Sequence, residues 1–461
     1  MSESQQGSYD IVILGGGSGG YACALRAAEL GMNVALIERD KLGGTCLHRG
    51  CIPTKALLHS AEVADSTRES SSFGVQASLT GIDMNGVNSY KDSVVARLYK
   101  GLTGLVNARG VTYVEGTGTL TAPNTVTVGD QAYVGRAVVL GTGSYPKSLP
   151  GLDIGGRIMT SDQALELDWI PDSVIVLGGG VIGVEFASVW RSFGSEVTII
   201  EALPRLVPAE DPASSKALER AFRKRKIKSV TGARLSSAVA NETAVTATLE
   251  DGTSHTADLM LVAVGRGPNT EGMGFAEQGI NMDRGWVITD DYLQTNVPGV
   301  YAVGDIVPGL QLAHRGFAQG IFLAEHLAGL NPNPIDEAGI PRVTYCEPEV
   351  ASVGLNQEEA EEKYGKDAVK TYEYNLGGNG KSQILSTTGF VKLVSVVDGP
   401  VVGLHMVGSR MGEQIGEAEL IYNWEALPED VASLLHAHPT QNEALGEAHL
   451  ALAGKPLHAH A

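Results

Sequence analysis

The sequence predicts an α/β protein: two copies of a doubly wound βαβ unit, then a separate α+β unit. Three observations predict it. A segment near the N-terminus recurs 163 residues later. Each copy sets a glycine turn between a β-branched run and a helical stretch. The breaker-rich stretch Leu330-Asn331-Pro332-Asn333-Pro334-Ile335 then divides both copies from a run of alternating strands and helices.

The first copy, residues 10–38, reads Asp10-Ile11-Val12-Ile13-Leu14-Gly15-Gly16-Gly17-Ser18-Gly19-Gly20, a helical stretch to Gly31, then Val34 to Glu38. The second, residues 173–201, reads Ser173-Val174-Ile175-Val176-Leu177-Gly178-Gly179-Gly180-Val181-Ile182-Gly183, a stretch to Gly194, then Val197 to Glu201. Gly15, Gly17 and Gly20 match Gly178, Gly180 and Gly183, and Glu38 matches Glu201. The first glycine permits the tight turn, the second lets a pyrophosphate approach the backbone, and the third lets helix pack on strand. The phosphates then meet the helix N-terminus. One such motif is weak evidence, but two in strand–turn–helix context with an acid at the same distance imply two Rossmann-like dinucleotide sites. Glu201 can accept from a ribose 2′-hydroxyl and would repel a 2′-phosphate, so the second site suits NAD. Gly183 at the third position fits the same preference, while Arg205, four residues on, works against it.

The rest of the chain follows in order. Residues 60–110 read as polar-amphipathic helices and residues 111–140 as strands. Gly141-Thr142-Gly143-Ser144 is a turn heading back toward a cofactor. Residues 245–265 are strand-rich and end in Val262-Ala263-Val264-Gly265-Arg266. Beyond the linker, strands are expected at 342–354, 389–397 and 400–407, and helices at 356–363, 411–424 and 428–436. The expected division is 1–148 and 272–338 as one interrupted unit, 149–271 as the second and 339–461 as the third.

Composition narrows the function. The chain has 461 residues, 43% hydrophobic and 19% charged, as in a soluble globular protein. It has 58 glycines, well above the usual share of about 7%, so many turns must approach something closely. A net charge of -19 makes nucleic acid and anionic membrane poor partners and suits a basic protein. Residues 1–9 are polar, without a signal core. No run approaches the roughly 18 apolar residues of a membrane span. The tail, residues 454–461, is no lipidation box, and its His458 and His460 read as solvated. Four cysteines are too few for a secreted disulfide framework, so a cytoplasmic setting is expected, with any close pair catalytic or metal-binding rather than structural. A metal site is disfavoured, since Cys23 falls inside a predicted helix and Cys346 stands alone.

That close pair is Cys46-Leu47-His48-Arg49-Gly50-Cys51, followed by Ile52-Pro53-Thr54-Lys55. Pro53 suits the first turn of a helix, which puts Cys51 at its N-terminus. The helix dipole stabilises a thiolate there, and Lys55 falls on the same face. A disulfide between Cys46 and Cys51 is feasible on spacing. A thiol with a pKa near 8.5 is mostly protonated at neutral pH, so exchange needs a base. His438, with Glu443 five residues on, is a candidate; on sequence alone His436 is its equal.

Residues 43–55, Gly43-Gly44-Thr45-Cys46 through Thr54-Lys55, resemble the redox-active signature of the pyridine nucleotide–disulfide oxidoreductases, and within them the branch that oxidises dihydrolipoamide in its bacterial form. The resemblance runs end to end. It takes in Tyr301-Ala302-Val303-Gly304-Asp305, Leu312-Ala313-His314, Pro341-Arg342-Val343-Thr344-Tyr345 and His436-Ala437-His438-Pro439-Thr440-Gln441-Asn442-Glu443. It implies FAD in the first unit: Gly15, Gly17, Gly20 and Glu38 on its ADP half, Asp305 on the ribityl side, and Gly143, Lys55, Ala313 and His314 near the flavin. It implies NAD in the second unit, at Gly178, Gly180, Gly183, Glu201 and Gly265. Cys46 would be the thiol attacked by substrate and Cys51 the one nearest the flavin. Lys55 would pair with Glu185. His438 and Glu443 would come from the partner subunit, which implies a homodimer with the C-terminal unit as its interface.

The implied activity is oxidation of protein-bound dihydrolipoyl groups with NAD, through FAD and the disulfide Cys46–Cys51. The implied partners are lipoyl-bearing components of a 2-oxo acid dehydrogenase complex or of glycine cleavage. An NAD(P)H-dependent reductase of a small disulfide, of glutathione or mycothione type, shares the fold and the cysteine pair; Glu201 and His436-Ala437-His438 argue against it. A mercuric reductase would need a C-terminal cysteine pair, and the last cysteine is Cys346. Gly141, Arg315-Gly316-Phe317 and Gln441-Asn442 depart from the commonest family pattern.

Overall fold

The computed structural model describes residues 8–458, so the polar extreme N-terminus and His460 lie outside the described residues. The repeat gives two parallel sheets. In the first, Thr112–Glu115, Val34–Glu38, Ser8–Leu14 and Gln131–Leu140 lie side by side in parallel. Val300–Ala302 joins in parallel on Gln131–Leu140, although 160 positions separate Val300 from Leu140. Two shorter strands, Thr125–Val128 and Gly118–Ala122, continue the sheet beyond Gln131–Leu140 as an antiparallel meander. In the second sheet, Ile227–Thr231, Glu196–Glu201, Ser173–Leu177, Leu259–Val262 and Ile158–Thr160 are all parallel. The strands at both centres are continuous apolar runs, as strands covered on two faces must be. Ile11 to Ile13 and Val174 to Val176 are almost fully buried.

Backbone contact at the sheet ends explains the glycines. A Cβ on Gly20 would lie 1.8 Å from the Gly15 carbonyl oxygen, and one on Gly183 would lie 1.9 Å from that of Gly178. No side chain fits there, so the helices Ser18–Glu29 and Val181–Phe193 can start directly against their strands. The first of these helices crosses Ala313–Leu327 equally closely, since a Cβ on Gly320 would sit 2.3 Å from the Gly19 carbonyl oxygen. That contact returns residues near 305–315 to the first glycine turn.

The third unit is an antiparallel sheet in the order Arg342–Thr344, Glu349–Gly354, Val401–Gly408, Phe390–Val396, Val369–Asn375. The helices Met411–Asn423 and Glu443–Leu452 pack against it. The helix expected over 428–436 ends at Ala432. A continuing helix would need His438 in the α region, which the following Pro439 disfavours, and His436 instead turns its ring to Glu417. The strand Val369–Asn375 and the helix Glu443–Leu452 were not expected. Among the described residues no helix is long and apolar enough to cross a membrane.

One buried ion pair fastens the second unit to the third. Asp211 caps the helix Pro212–Lys224, and Lys392 Nζ donates to both its oxygens at 3.1 and 2.9 Å. The Asp211 side chain is fully buried. Burial alone would raise its pKa, but Lys392, His405 and the Ala213 N–H outweigh this and hold it below the usual value. We expect Asp211→Ala to strand Lys392 and to cost about 3–5 kcal/mol in urea unfolding. Because the folded carboxyl ionises below the unfolded one, the pair stabilises fully above roughly pH 4. That contribution is lost as pH falls through the lower folded value, so the Asp211→Ala and parent unfolding curves should converge in acid.

Candidate redox-active site

Cys46 lies inside a six-residue helix, Gly44–Arg49, that no residue pattern announces. His48 and Arg49 hold it in place: His48 Nε2 donates to the Leu42 carbonyl at 2.8 Å, and Arg49 pairs with Asp40 at 2.6 Å. Cys51 is the first residue of the helix Cys51–Glu69, with Pro53 in its first turn. Both cysteines stand here as thiols, joined by a side-chain hydrogen bond.

That bond makes the two sulfurs unequal. The Cys46 thiol donates to Cys51 and is held strongly protonated, by that bond first, then by burial and the Cys51 charge. Cys51 is lowered to about 7, by the Cys46 hydrogen bond first, with Lys55 adding to it against the opposing effects of burial and Glu185. Lys55 lies one turn beyond Cys51, and its Nζ donates to both oxygens of Glu185 at 2.9 and 2.8 Å. Burial works against the Lys55 ammonium, but Glu185 more than offsets it, so its pKa is raised. Glu185 is buried on Val181–Phe193 and also accepts the Tyr345 backbone N–H at 2.9 Å. The Lys55 ammonium sits 4.8 Å from the centre of the Tyr345 ring.

Around this centre lie the two dinucleotide clefts. Glu38 accepts the Gly16 and Asp40 N–H groups at 2.7 and 2.8 Å. Glu201 accepts the Gly179 and Leu203 N–H groups at 2.6 and 2.7 Å. Both carboxylates are thereby aimed, with lone pairs left for a ribose. The helix starts at Gly17 and Gly180 have no side-chain cap, and a Cβ at either glycine would project into open space. Each turn is thus a cradle of the kind a pyrophosphate fills. Arg205 is turned away, donating to the Pro208 and Glu210 carbonyls, and so does not await a 2′-phosphate.

Asp305 lies in a short turn after Val300–Ala302 and accepts the Ser144 hydroxyl at 2.6 Å. Arg266 donates to that hydroxyl at 2.7 Å and to the Ser144 carbonyl at 2.9 Å. Ser144–Pro146 and Arg266–Pro268 pair as a two-stranded antiparallel ribbon, with Gly143 at one end accepting the Asn269 N–H and Gly265 at the other accepting the Lys147 N–H. Ala313 opens its helix, and His314 is tied to the Pro341 carbonyl at 2.7 Å. Arg315, which departs from the family pattern, points away to Glu337 and the Pro308 carbonyl.

The two histidines of the 436–438 segment are no longer equivalent. His438 Nδ1 lies 2.7 Å from Glu443 Oε1, and its side chain is 77% exposed. His436 is largely covered and paired with Glu417. The groups that set the Cys46 thiol are Cys51, Lys55 and Asp305; those that set Glu443 are Thr440, His438 and His436. Sequence reading missed Ser144, Arg266, Glu417 and the Tyr345 backbone. Ser144, directly after Gly143, and Arg266, directly after Gly265, were the two with a local signal.

Residues 9–320 match the pyridine nucleotide-disulphide oxidoreductase family, and residues 340–449 match that family's dimerisation domain. The chain belongs to this family. It is an FAD-dependent oxidoreductase that uses NAD, and it assembles through its dimerisation domain as a homodimer. It is 40% identical to a dihydrolipoyl dehydrogenase of Bacillus subtilis over 98% of this chain and 99% of that one. It is 38% identical to a mitochondrial dihydrolipoyl dehydrogenase of Arabidopsis thaliana over 97% and 91%. The crystal structure of LpdA from Mycobacterium tuberculosis superposes with a TM-score of 0.90 at 28% identity, covering 96% of this chain and 99% of that one.

The hydrogen bond between the thiols yields a test. Cys46→Ala should remove the donor and raise the Cys51 titration from about 7 toward the ordinary thiol range near 8.5. Cys46→Ser keeps a donor and should leave it low. Thiolate ultraviolet absorbance against pH, measured on both reduced variants, separates these outcomes.

Proposed function

We propose that this enzyme oxidises protein-bound dihydrolipoyl groups to lipoyl groups with NAD as acceptor. The observation that carries the reading is the match to dihydrolipoyl dehydrogenases over nearly the whole chain, at up to 40% identity. The tied-back Arg205 and the aimed Glu201 support NAD as the nucleotide. Residues 1–148 with 272–338 form the FAD unit, 149–271 the NAD unit and 339–461 the dimer-forming unit.

Gly15, Gly17, Gly20 and Glu38 hold the ADP half of FAD, and Asp305, steadied by Ser144, holds its ribityl side. Lys55, Gly143 and Ala313 line the flavin site. Gly178, Gly180, Gly183, Glu201 and Gly265 hold NAD. What bound FAD supplies is passage of an electron pair from the enzyme dithiol to NAD. Everything else is done by side chains.

Glu443 is a carboxylate and can only accept, so His438 Nδ1 carries the proton of their hydrogen bond. This leaves Nε2 as the basic nitrogen. The 77% exposure of His438 supports its action on the thiol pair of the other protomer, across the dimer. Nε2 takes a proton from the substrate thiol. The resulting thiolate attacks Cys46 Sγ, the Cys46–Cys51 bond breaks, and its electron pair leaves on Cys51. The second substrate sulfur then attacks the first, closing the lipoyl ring and releasing Cys46; its own proton passes to the departing Cys46 sulfur, while His438 keeps the first proton. Two electrons remain on the dithiol. Cys51 is the better leaving group because Lys55 and the helix N-terminus favour its thiolate.

The partner is a lipoyl-bearing component of a 2-oxo acid dehydrogenase or glycine cleavage system, and the buried free thiols of Cys23 and Cys346 suit a reducing cytoplasm. Cys46→Ser should abolish dihydrolipoamide turnover while retaining FAD; full residual activity would remove Cys46 from the reaction. His438→Gln should slow enzyme reduction by dihydrolipoamide about 10²–10⁴-fold and affect NADH oxidation by a dye far less. A substrate panel tests the whole reading. Dihydrolipoamide with NAD should lead, and preferred reduction of glutathione or mycothiol disulfide with NADPH would sink it.

A further inference from the structure

Glu417 lies on the helix Met411–Asn423, with its side chain 27% exposed. Its two oxygens grip two points of the segment that carries the dyad. Oε1 accepts from His436 Nε2 at 2.7 Å, and Oε2 accepts from Asn442 Nδ2 at 2.6 Å. His436 stands two positions before His438, and Asn442 stands immediately before Glu443. The grip is closely fitted, because a Cβ on Gly446 would lie 2.6 Å from His436 Nδ1. Within the segment, Glu443 Oε2 accepts the Thr440 N–H, and the Thr440 hydroxyl donates to the Ala437 carbonyl.

The segment needs such a grip. It belongs to no helix or strand until Glu443, and His438 itself projects into open space. A carboxylate suits the task because both of its partners donate. His436 is held toward its charged form, by the Glu417 hydrogen bond first and against the opposing effect of burial, with Glu443 adding to it. Burial alone would raise the Glu417 carboxyl, but His436 and Asn442 outweigh this and lower it.

We propose that Glu417 is a positioning residue for this reaction. Through His436 and Asn442 it holds His438 and Glu443 in the geometry that thiol exchange requires. The proposal rests on the reading of His438 as the base. A displacement of this kind, remote from the chemistry, can cost up to about 10²-fold in rate.

The test uses the FAD-loaded dimer and rapid mixing. Glu417→Ala should slow enzyme reduction by dihydrolipoamide roughly tenfold to a hundredfold, with reduction by NADH little changed. Glu417→Gln keeps an acceptor for Asn442 without the charge, and should recover most of the loss. The decisive measurement is the double variant. If Glu417 acts through His438, then Glu417→Ala combined with His438→Gln should be no slower than His438→Gln alone. Multiplying losses, or an equal loss in the NADH half-reaction, would make Glu417 merely structural and overturn the proposal. A normal rate in Glu417→Ala beside a slow His438→Gln would overturn it while leaving the dyad standing. A normal rate in His438→Gln would overturn both. Should Glu417→Ala fail to assemble, Asn442→Ala removes one tie only, and must show a smaller loss that also vanishes in the His438→Gln background.

Discussion

The site depends on the ion pair between Lys55 and Glu185, because three separate parts of the chain meet in it. Lys55 belongs to the helix that begins at Cys51, Glu185 to the helix that follows the second glycine turn, and the Tyr345 N–H to the start of the third unit. A buried carboxylate must be fully partnered, and here its partners are the thiol helix and the third unit themselves. The cation that Glu185 fixes is also one of the charges that favour a Cys51 thiolate. Holding the units together and biasing the thiol pair are therefore one interaction seen from two sides.

The bias has a direction because the geometry around the two sulfurs is asymmetric. Cys51 receives a hydrogen bond, a helix N-terminus and a nearby ammonium, whereas Cys46 keeps its proton and lies in range of the Asp305 carboxylate. This asymmetry supports the proposed division of labour, with the negative charge on Cys51 and bond-making on Cys46. In the proposed reaction the dyad of His438 and Glu443 supplies only proton traffic, a task that a residue of the other protomer can perform across the dimer.

What the sequence disclosed was whatever is local. The glycine spacing, Glu38 and Glu201, and Cys51 with Pro53 and Lys55 each act within one turn or one βαβ unit, and each was readable from order alone. The helix Gly44–Arg49 was not, since a six-residue stretch with glycine at its start has no period to detect, and its stability comes from His48 and Arg49 contacting Leu42 and Asp40. The strand Val369–Asn375 was missed because it is an edge strand of mixed burial, defined by its pairing with Phe390–Val396. Ser144 with Arg266, Glu185 with Tyr345 and Glu417 with His436 are side-chain contacts between distant residues. No pattern in a single sequence encodes such pairs, and only the fold reveals them.

The duplication goes further than the motif that revealed it, and its divergence explains how one scaffold came to serve two purposes. After Glu38 the chain runs to Leu42, which packs on Gly16, and the Gly43 N–H bonds to the Gly16 carbonyl. After Glu201 it runs to Leu206, which packs on Gly179, and the Val207 N–H bonds to the Gly179 carbonyl. Both following residues have positive φ, 100° at Gly43 and 40° at Val207. A β-branched residue is uncommon there, so the turn has been kept in the second copy even without glycine. Beyond this point the copies part. The first continues into Cys46 and Cys51, placing a redox pair beside a dinucleotide cleft. The second continues into Glu210 and Asp211, which reach Ser352 and Lys392 of the third unit. One inherited exit from a Rossmann turn thus carries chemistry in one copy and anchorage in the other. The anchorage holds the second glycine unit against the third, whose Tyr345 N–H meets Glu185 beside the thiol helix.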